Sequence, residues 1–338
     1  MSHSGLSLRI VIIALGLIAA GALLAGAAAA PIRPAGGRPA LPPVLPPLAN
    51  CAVTTTGFIP LIDLGTGTYH GYEGGLYGGG SNTPSAAYLQ VGEARAKAIQ
   101  PRLADGTPDR VNGRLVLLSL GMSNTTMEFS QFVTAANQDP LKNPQLVIVD
   151  GAVGGQDAEI IKNPASSYWI TVTQRLTTAG VAAPQVQAVW LKEAIAGENE
   201  AFPTDARHLE SDLRAIVAIV QQRFPNVQIV YLASRTYAGY ATTTLNPEPY
   251  AYQSGFAVQW LISDGQKSTT LGSLPWLAWG PYLWTDGLVG RSDGLTWACT
   301  DVQSDGTHPS ASGVQKVVNL LLPFFKTDPT AAPWFTHP

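Results

Sequence analysis

The stretch Ser304-Asp305-Gly306-Thr307-His308-Pro309-Ser310 sets an imidazole three residues after a carboxylate, across a tight turn. An aspartate so placed can hold the histidine by one ring nitrogen, which leaves the other free to take a proton from a hydroxyl. A hydroxyl in a suitable place is Ser123, in Gly121-Met122-Ser123-Asn124, between an apolar run and a helical stretch. A serine at a strand-to-helix turn points its side chain at the sheet edge, and its amide opens a helix, where negative charge is stabilised. Serine also favours helix N-caps, so type and position alone leave both roles open. A third segment, Asp150-Gly151-Ala152-Val153-Gly154-Gly155, follows another apolar run. Its glycines let main chain approach a ligand and present amides without hindrance, although an ordinary turn has the same composition.

These residues need a frame that delivers them to one edge. Apolar runs at 114–120, 146–150, 186–191 and 227–232 are short, β-branched and bounded by turn residues, as buried strands are. Segments 127–136, 167–179 and 205–224 between them read as helices. In the last, Leu209, Leu213, Ile216, Val217 and Val220 share one face. A final helix is expected over 310–325, with Val314, Val317, Val318 and Leu321 on its apolar side. Strand–helix alternation implies a parallel sheet covered on both faces, a three-layer α/β/α arrangement. Ligands of open parallel sheets bind beyond the carboxyl ends of the strands, which is where Ser123 and the Gly154-Gly155 turn fall. Segments 57–109 and 247–300 are rich in glycine and aromatic residues without clear periodicity, and are expected as long irregular loops walling the site.

Serine after the first strand, glycine after the second and D-G-T-H-P before the last helix together resemble the SGNH, or GDSL-type, hydrolase family, over about residues 113–325. The resemblance implies a flavodoxin-like α/β/α fold. It implies ester hydrolysis through an acyl-enzyme, with acetyl groups on sugars among the family's substrates and no metal or organic cofactor. Carried over by residue, Ser123 is the nucleophile, His308 the general base and Asp305 the residue that orients it. The amides of Ser123 and Gly155 are then the oxyanion donors. Two positions depart from the family's motifs. Met122 stands where G-D-S has its aspartate. The third-strand motif reads Trp190-Leu191-Lys192-Glu193-Ala194, so the amide side chain that would be a third oxyanion donor is replaced by Lys192. That amine can take over the donor's place, or pair with Glu193 or another acid and take no part.

Other residues near the expected edge complete the site. Asn124 follows the serine, and Arg235, Tyr237 and Tyr240 follow the fourth strand, so Asn124, Arg235 and Tyr237 are expected to line a pocket together with Trp297. Trp276, Trp279, Trp284 and Trp297 precede the histidine motif and suit either sugar stacking or a core beneath loops. Asp286, Asp293 and Asp301 match no calcium-loop spacing and are expected as solvated loop acids.

The chain of 338 residues carries a net charge of −3 with 13% charged residues, and no basic stripe interleaved with aromatics, which argues against nucleic acid as a partner. Arg9, the apolar run of residues 10–25 and the small residues 27–30 have the form of a secretory signal peptide over 1–30. The run approaches the length of an uncleaved anchor, which would be the only link to a membrane. Residues 31–49 are proline-rich and expected as an extended tether to a single domain over 50–338. In an exported chain, Cys51 and Cys299 are expected to form a disulfide, with two buried thiols as the alternative. The function expected is therefore an exported serine esterase acting on a small-molecule or glycan ester with a short acyl group. A non-catalytic glycan-binding module on the same fold and an acyltransferase using the same residues are the rivals.

Overall fold

Seven-residue strands with no exposed position lie at the centre of the molecule. The computed structural model describes residues 48–267 and 274–337; the leader and the tether as far as residue 47 lie outside them. Strands β1 (Leu115–Gly121), β2 (Leu146–Asp150), β3 (Val186–Lys192), β4 (Ile229–Ala233) and β5 (Trp276–Trp279) form one sheet in the order β2-β1-β3-β4-β5. All four pairings are parallel. Every residue of β1, β3 and β4 is buried, which is why these segments read as largely apolar runs, broken only by Ser119, Gln187 and Lys192, rather than as alternating ones. Helices cover the sheet as the outer layers of an α/β/α sandwich, with one continuous apolar core.

Those helices are α1 (Ala86–Ala98), α2 (Ser123–Gln138), α3 (Ser167–Thr178), α4 (Thr204–Arg223), α5 (Tyr250–Lys267) and α6 (Ala311–Thr327). The stripe expected on α4 is buried as a unit. In α6 the hydroxyl of Ser310 accepts the Gly313 amide at the N-terminus, and Val314, Val317, Val318 and Leu321 face inward. Helices α2 and α6 pack against each other. The segment that precedes α6 is thereby brought to the start of α2.

The segments expected as irregular walls hold regular structure. Within 57–109 lie a short hairpin (Thr68–Tyr69 with Tyr72–Glu73) and α1; within 247–300 lie α5 and the fifth strand. Helix α5 is buried at every position from Ala251 to Ile262, so it lacks the polar face that gives a helix its sequence period. The four tryptophans of this region are buried as well, as the core beneath the loops. Cys51 and Cys299 are joined in a disulfide, with Cα atoms 5.4 Å apart. No helix among the described residues is long and apolar enough to cross a membrane.

The strand order fixes where a ligand can sit. The chain leaves β1 towards β2 on one side and passes to β3 on the other, so a crevice opens at the carboxyl end of β1. In register there, Ser119 pairs with Asp150 and Gly121 with Lys192.

Candidate active site

The serine comes from the junction of β1 and α2. Gly121 ends the strand because nothing larger fits: a Cβ there would lie 2.1 Å from the Lys192 carbonyl oxygen and 2.4 Å from Thr125 Oγ1. Met122 takes the N-cap place in extended backbone and offers no side-chain cap, so Ser123 is the first helical residue. Its hydroxyl is not spent on capping. Oγ lies 2.8 Å from His308 Nε2.

The histidine is held by its own loop. His308 Nδ1 lies 2.5 Å from Asp305 Oδ2, while Asp305 Oδ1 accepts the amides of Thr307 and His308, each at 3.0 Å. Burial pushes the Asp305 carboxyl up, but the hydrogen bonds from His308 and the two amides outweigh it and leave it below the usual carboxylate range. An ionised Asp305 favours the proton on Nδ1 and leaves Nε2 as the acceptor facing Ser123. Asn124 is buried and donates through Nδ2 to the Thr307 carbonyl at 3.0 Å, which fastens the loop to the first turn of α2.

The glycine turn after β2 runs beside the serine. A Cβ on Gly154 would sit 3.6 Å from Ser123 Cβ. Gly155 has φ +72° and open space where a side chain would stand, and among the described residues no carbonyl accepts its amide. The Ser123 amide belongs to the helix's first turn, whose N–H groups have no partner within the helix. Two main-chain donors thus border the hydroxyl, in a place where an acyl-transfer oxyanion would develop.

A cavity of about 340 Å³ opens over these groups. Ser123, His308, Asn124, Gly155 and Arg235 all line it. Two expected pocket residues do not. Tyr237 is buried with its hydroxyl on the Val53 carbonyl at 2.9 Å, and Trp297 is buried with Nε1 on the Leu283 carbonyl at 2.9 Å. Both are core. Lys192 also points away. Its amine bonds both oxygens of Glu128 on α2, at 2.6 and 2.5 Å, and both side chains are out of water. Of the two roles open to Lys192, pairing with an acid is the one the fold realises, and the third-donor role is corrected.

Besides Met122 of the serine motif, residues that no motif marked complete the walls: Asp157, Ile160, Ala196 and Leu245. Asp157 did carry a local signal, since it caps the short helix Ala158–Ile161; Oδ1 accepts the Ile160 amide and Oδ2 the Ala196 amide. The other walls belong to loops whose position only the tertiary fold fixes. Of the late acids only Asp293 is solvated as expected. Asp286 is buried and takes the Thr56 amide at 2.6 Å, and Asp301 is buried against Lys316 at 2.6 Å; Asp293 pairs with Arg291. Asp286 and Asp301 clamp loops to other segments.

No family model matches the chain, and no curated protein matches it. Solved structures do resemble it. One is a Bacteroides fragilis protein assigned as an acylhydrolase, with 13% identity over 71% of this chain and 96% of that one, at a TM-score of 0.39. A second is an acetylxylan esterase from Geobacillus stearothermophilus, 14% identical over 66% and 97%, at 0.38. A third is the periplasmic domain of a lipopolysaccharide acetyltransferase from Salmonella ser. Paratyphi A, 13% identical over 72% and 97%, at 0.36. The functional reading rests on the geometry of the site itself.

Proposed function

We propose that this chain is an exported serine esterase that cleaves short-chain, acetyl-type carboxylic esters of polar or sugar alcohols. The observation that carries this reading is the unbroken chain from Ser123 Oγ through His308 to Asp305, at 2.8 and 2.5 Å, on the floor of a cavity. In the first half-reaction Ser123 Oγ attacks the ester carbonyl and passes its proton to His308 Nε2. The former carbonyl oxygen takes the negative charge between the amides of Ser123 and Gly155. His308 then returns the proton to the leaving alcohol, and an acyl-serine remains. Water, activated by the same nitrogen, reverses the sequence and releases the acid. Asp305 keeps the imidazolium favourable throughout without taking the proton itself. The Cys51–Cys299 disulfide supports a location outside the reducing cytoplasm.

The test is covalent. A fluorophosphonate should add to Ser123, located by mass spectrometry, and Ser123→Ala and His308→Ala should each lose both the adduct and turnover of 4-nitrophenyl acetate. Asp305→Asn should lower turnover, with the fold unchanged. In a chain-length series acetyl should exceed decanoyl. An unlabelled wild type with no turnover would leave the glycan-binding reading in its place.

A further inference from the structure

Arg235 follows β4 and lines the cavity with Ser123 and His308, yet only 4% of its surface reaches solvent. Its main-chain amide is held by Ser254 Oγ at 3.1 Å. Its guanidinium forms no hydrogen bond or ion pair with any described residue, and Nε is buried without a partner. A covered cation left so is costly, and folds retain one where a partner arrives later. Burial draws the group below the usual arginine range, and four carboxyls, those of Glu128, Glu193, Glu248 and Glu198, oppose that. Three of the four are held by other groups. Glu128 belongs to Lys192. Glu248 accepts the Ala238 and Tyr252 amides and Trp284 Nε1, and Glu198 accepts Asn246 Nδ2. Glu193 accepts the Ala194 amide with one oxygen while its other oxygen is buried without a partner, so of the four only Glu193 has a buried oxygen to spare. Burial pushes Glu193 well up, Glu198 to about 8 and Glu248 to about 7. Asp157, the carboxylate on the cavity wall, already accepts two main-chain amides.

We propose that Arg235 is the specificity-determining residue of this site, and that it takes a carboxylate carried by the ester substrate. This rests on the esterase reading. The planar fork of a guanidinium matches the two oxygens of a carboxylate, and such charge-assisted pairs are the strong ones. The walls supply no second cation, so the acid would dock at Arg235 while the ester carbonyl reaches Ser123. The carboxylate can sit on the acyl part, as in a dicarboxylic half-ester, or on the alcohol part, as in an acetylated acidic sugar.

The experiment compares charged and neutral isosteres. 4-Nitrophenyl hemisuccinate is set against 4-nitrophenyl butyrate for the acyl side, and 3-acetoxybenzoate against 3-acetoxybenzamide for the alcohol side. Wild type should favour the charged member of one pair by roughly 10- to 100-fold in kcat/KM, the worth of a charged hydrogen bond. Which pair shows the preference assigns the side. Arg235→Met should abolish the preference through KM, and Arg235→Lys should keep part of it. An equal ratio for both pairs in wild type, or a ratio that survives Arg235→Met while kcat falls for all four esters, overturns the proposal and leaves the esterase standing. Calorimetry on Ser123→Ala supplies a reading independent of turnover and of whether Arg235→Met folds. Monomethyl succinate or 3-acetoxybenzoate should bind, weakening as salt rises, and their neutral amides should not. Equal binding of acid and amide overturns the proposal even if no ester is cleaved.

Discussion

Lys192 and Glu128 are exposed by 1% and 0%, and each satisfies the other. Removing one partner of such a pair leaves a bare charge in the core, at a cost of about 3–5 kcal/mol. Lys192→Met should therefore lower the urea midpoint sharply, and Lys192→Met with Glu128→Gln should recover most of the loss. The folded Lys192→Met protein should keep its ester turnover, whereas deletion of a true oxyanion donor costs about 10²–10³. Glu193, Glu198 and Glu248 carry a different signature. Burial raises all three, Glu198 to about 8 and Glu248 to about 7. A carboxyl raised in the folded state holds a proton that the unfolded chain releases near pH 4.3. The folded state binds more protons between those values, so stability falls as pH rises through them. Melting temperature should decline from pH 5 to pH 8. Glu198→Gln should flatten that decline; an unchanged slope would mean that Glu198 is ionised in the fold.

At the level of elements, the site is a joint between two helices. Helix α2 presents Ser123, and α6 anchors the loop of His308; Asn124 Nδ2 spans the gap to Thr307. Asn124→Ala removes that staple without touching either reacting group. A net hydrogen bond is worth about 0.5–1.5 kcal/mol, so kcat should fall by roughly 2- to 10-fold with little change in KM. A change confined to KM would instead make Asn124 a substrate contact. This joint was legible because its parts are local. Asp305 and His308 share one turn, and Ser123 sits where an apolar run meets a helical one. Four of the five strands were legible for the same reason, each a short and largely apolar run. What sequence could not show was set by distance. Helix α5 is buried all round and so has no period to read, and β5 is four residues long amid aromatic loops. Lys192 looked like part of the site because it ends β3. Only the packing of α2 reveals Glu128 waiting for it.

The whole chain is closed by Cys51 and Cys299, 248 positions apart. Chain entropy assigns about 4.7 kcal/mol to a 100-residue loop and somewhat more to a longer one, although measured gains are often smaller. The Cys51→Ser/Cys299→Ser protein should melt several degrees lower than wild type, and reductant should lower the wild type to the same point. Equal melting temperatures would mean that the unfolded chain gains little from the bridge. The spacing of the reacting groups has a consequence in time. Ser123 meets His308 across 185 positions, and the helix that fixes the histidine's loop is the last long one in the chain. During synthesis the serine and its glycine turn are laid down well before any base exists to activate them. On the esterase reading, a partly made or prematurely ended chain would carry a hydroxyl of ordinary reactivity, and hydrolytic power would arrive only when the final helix docks.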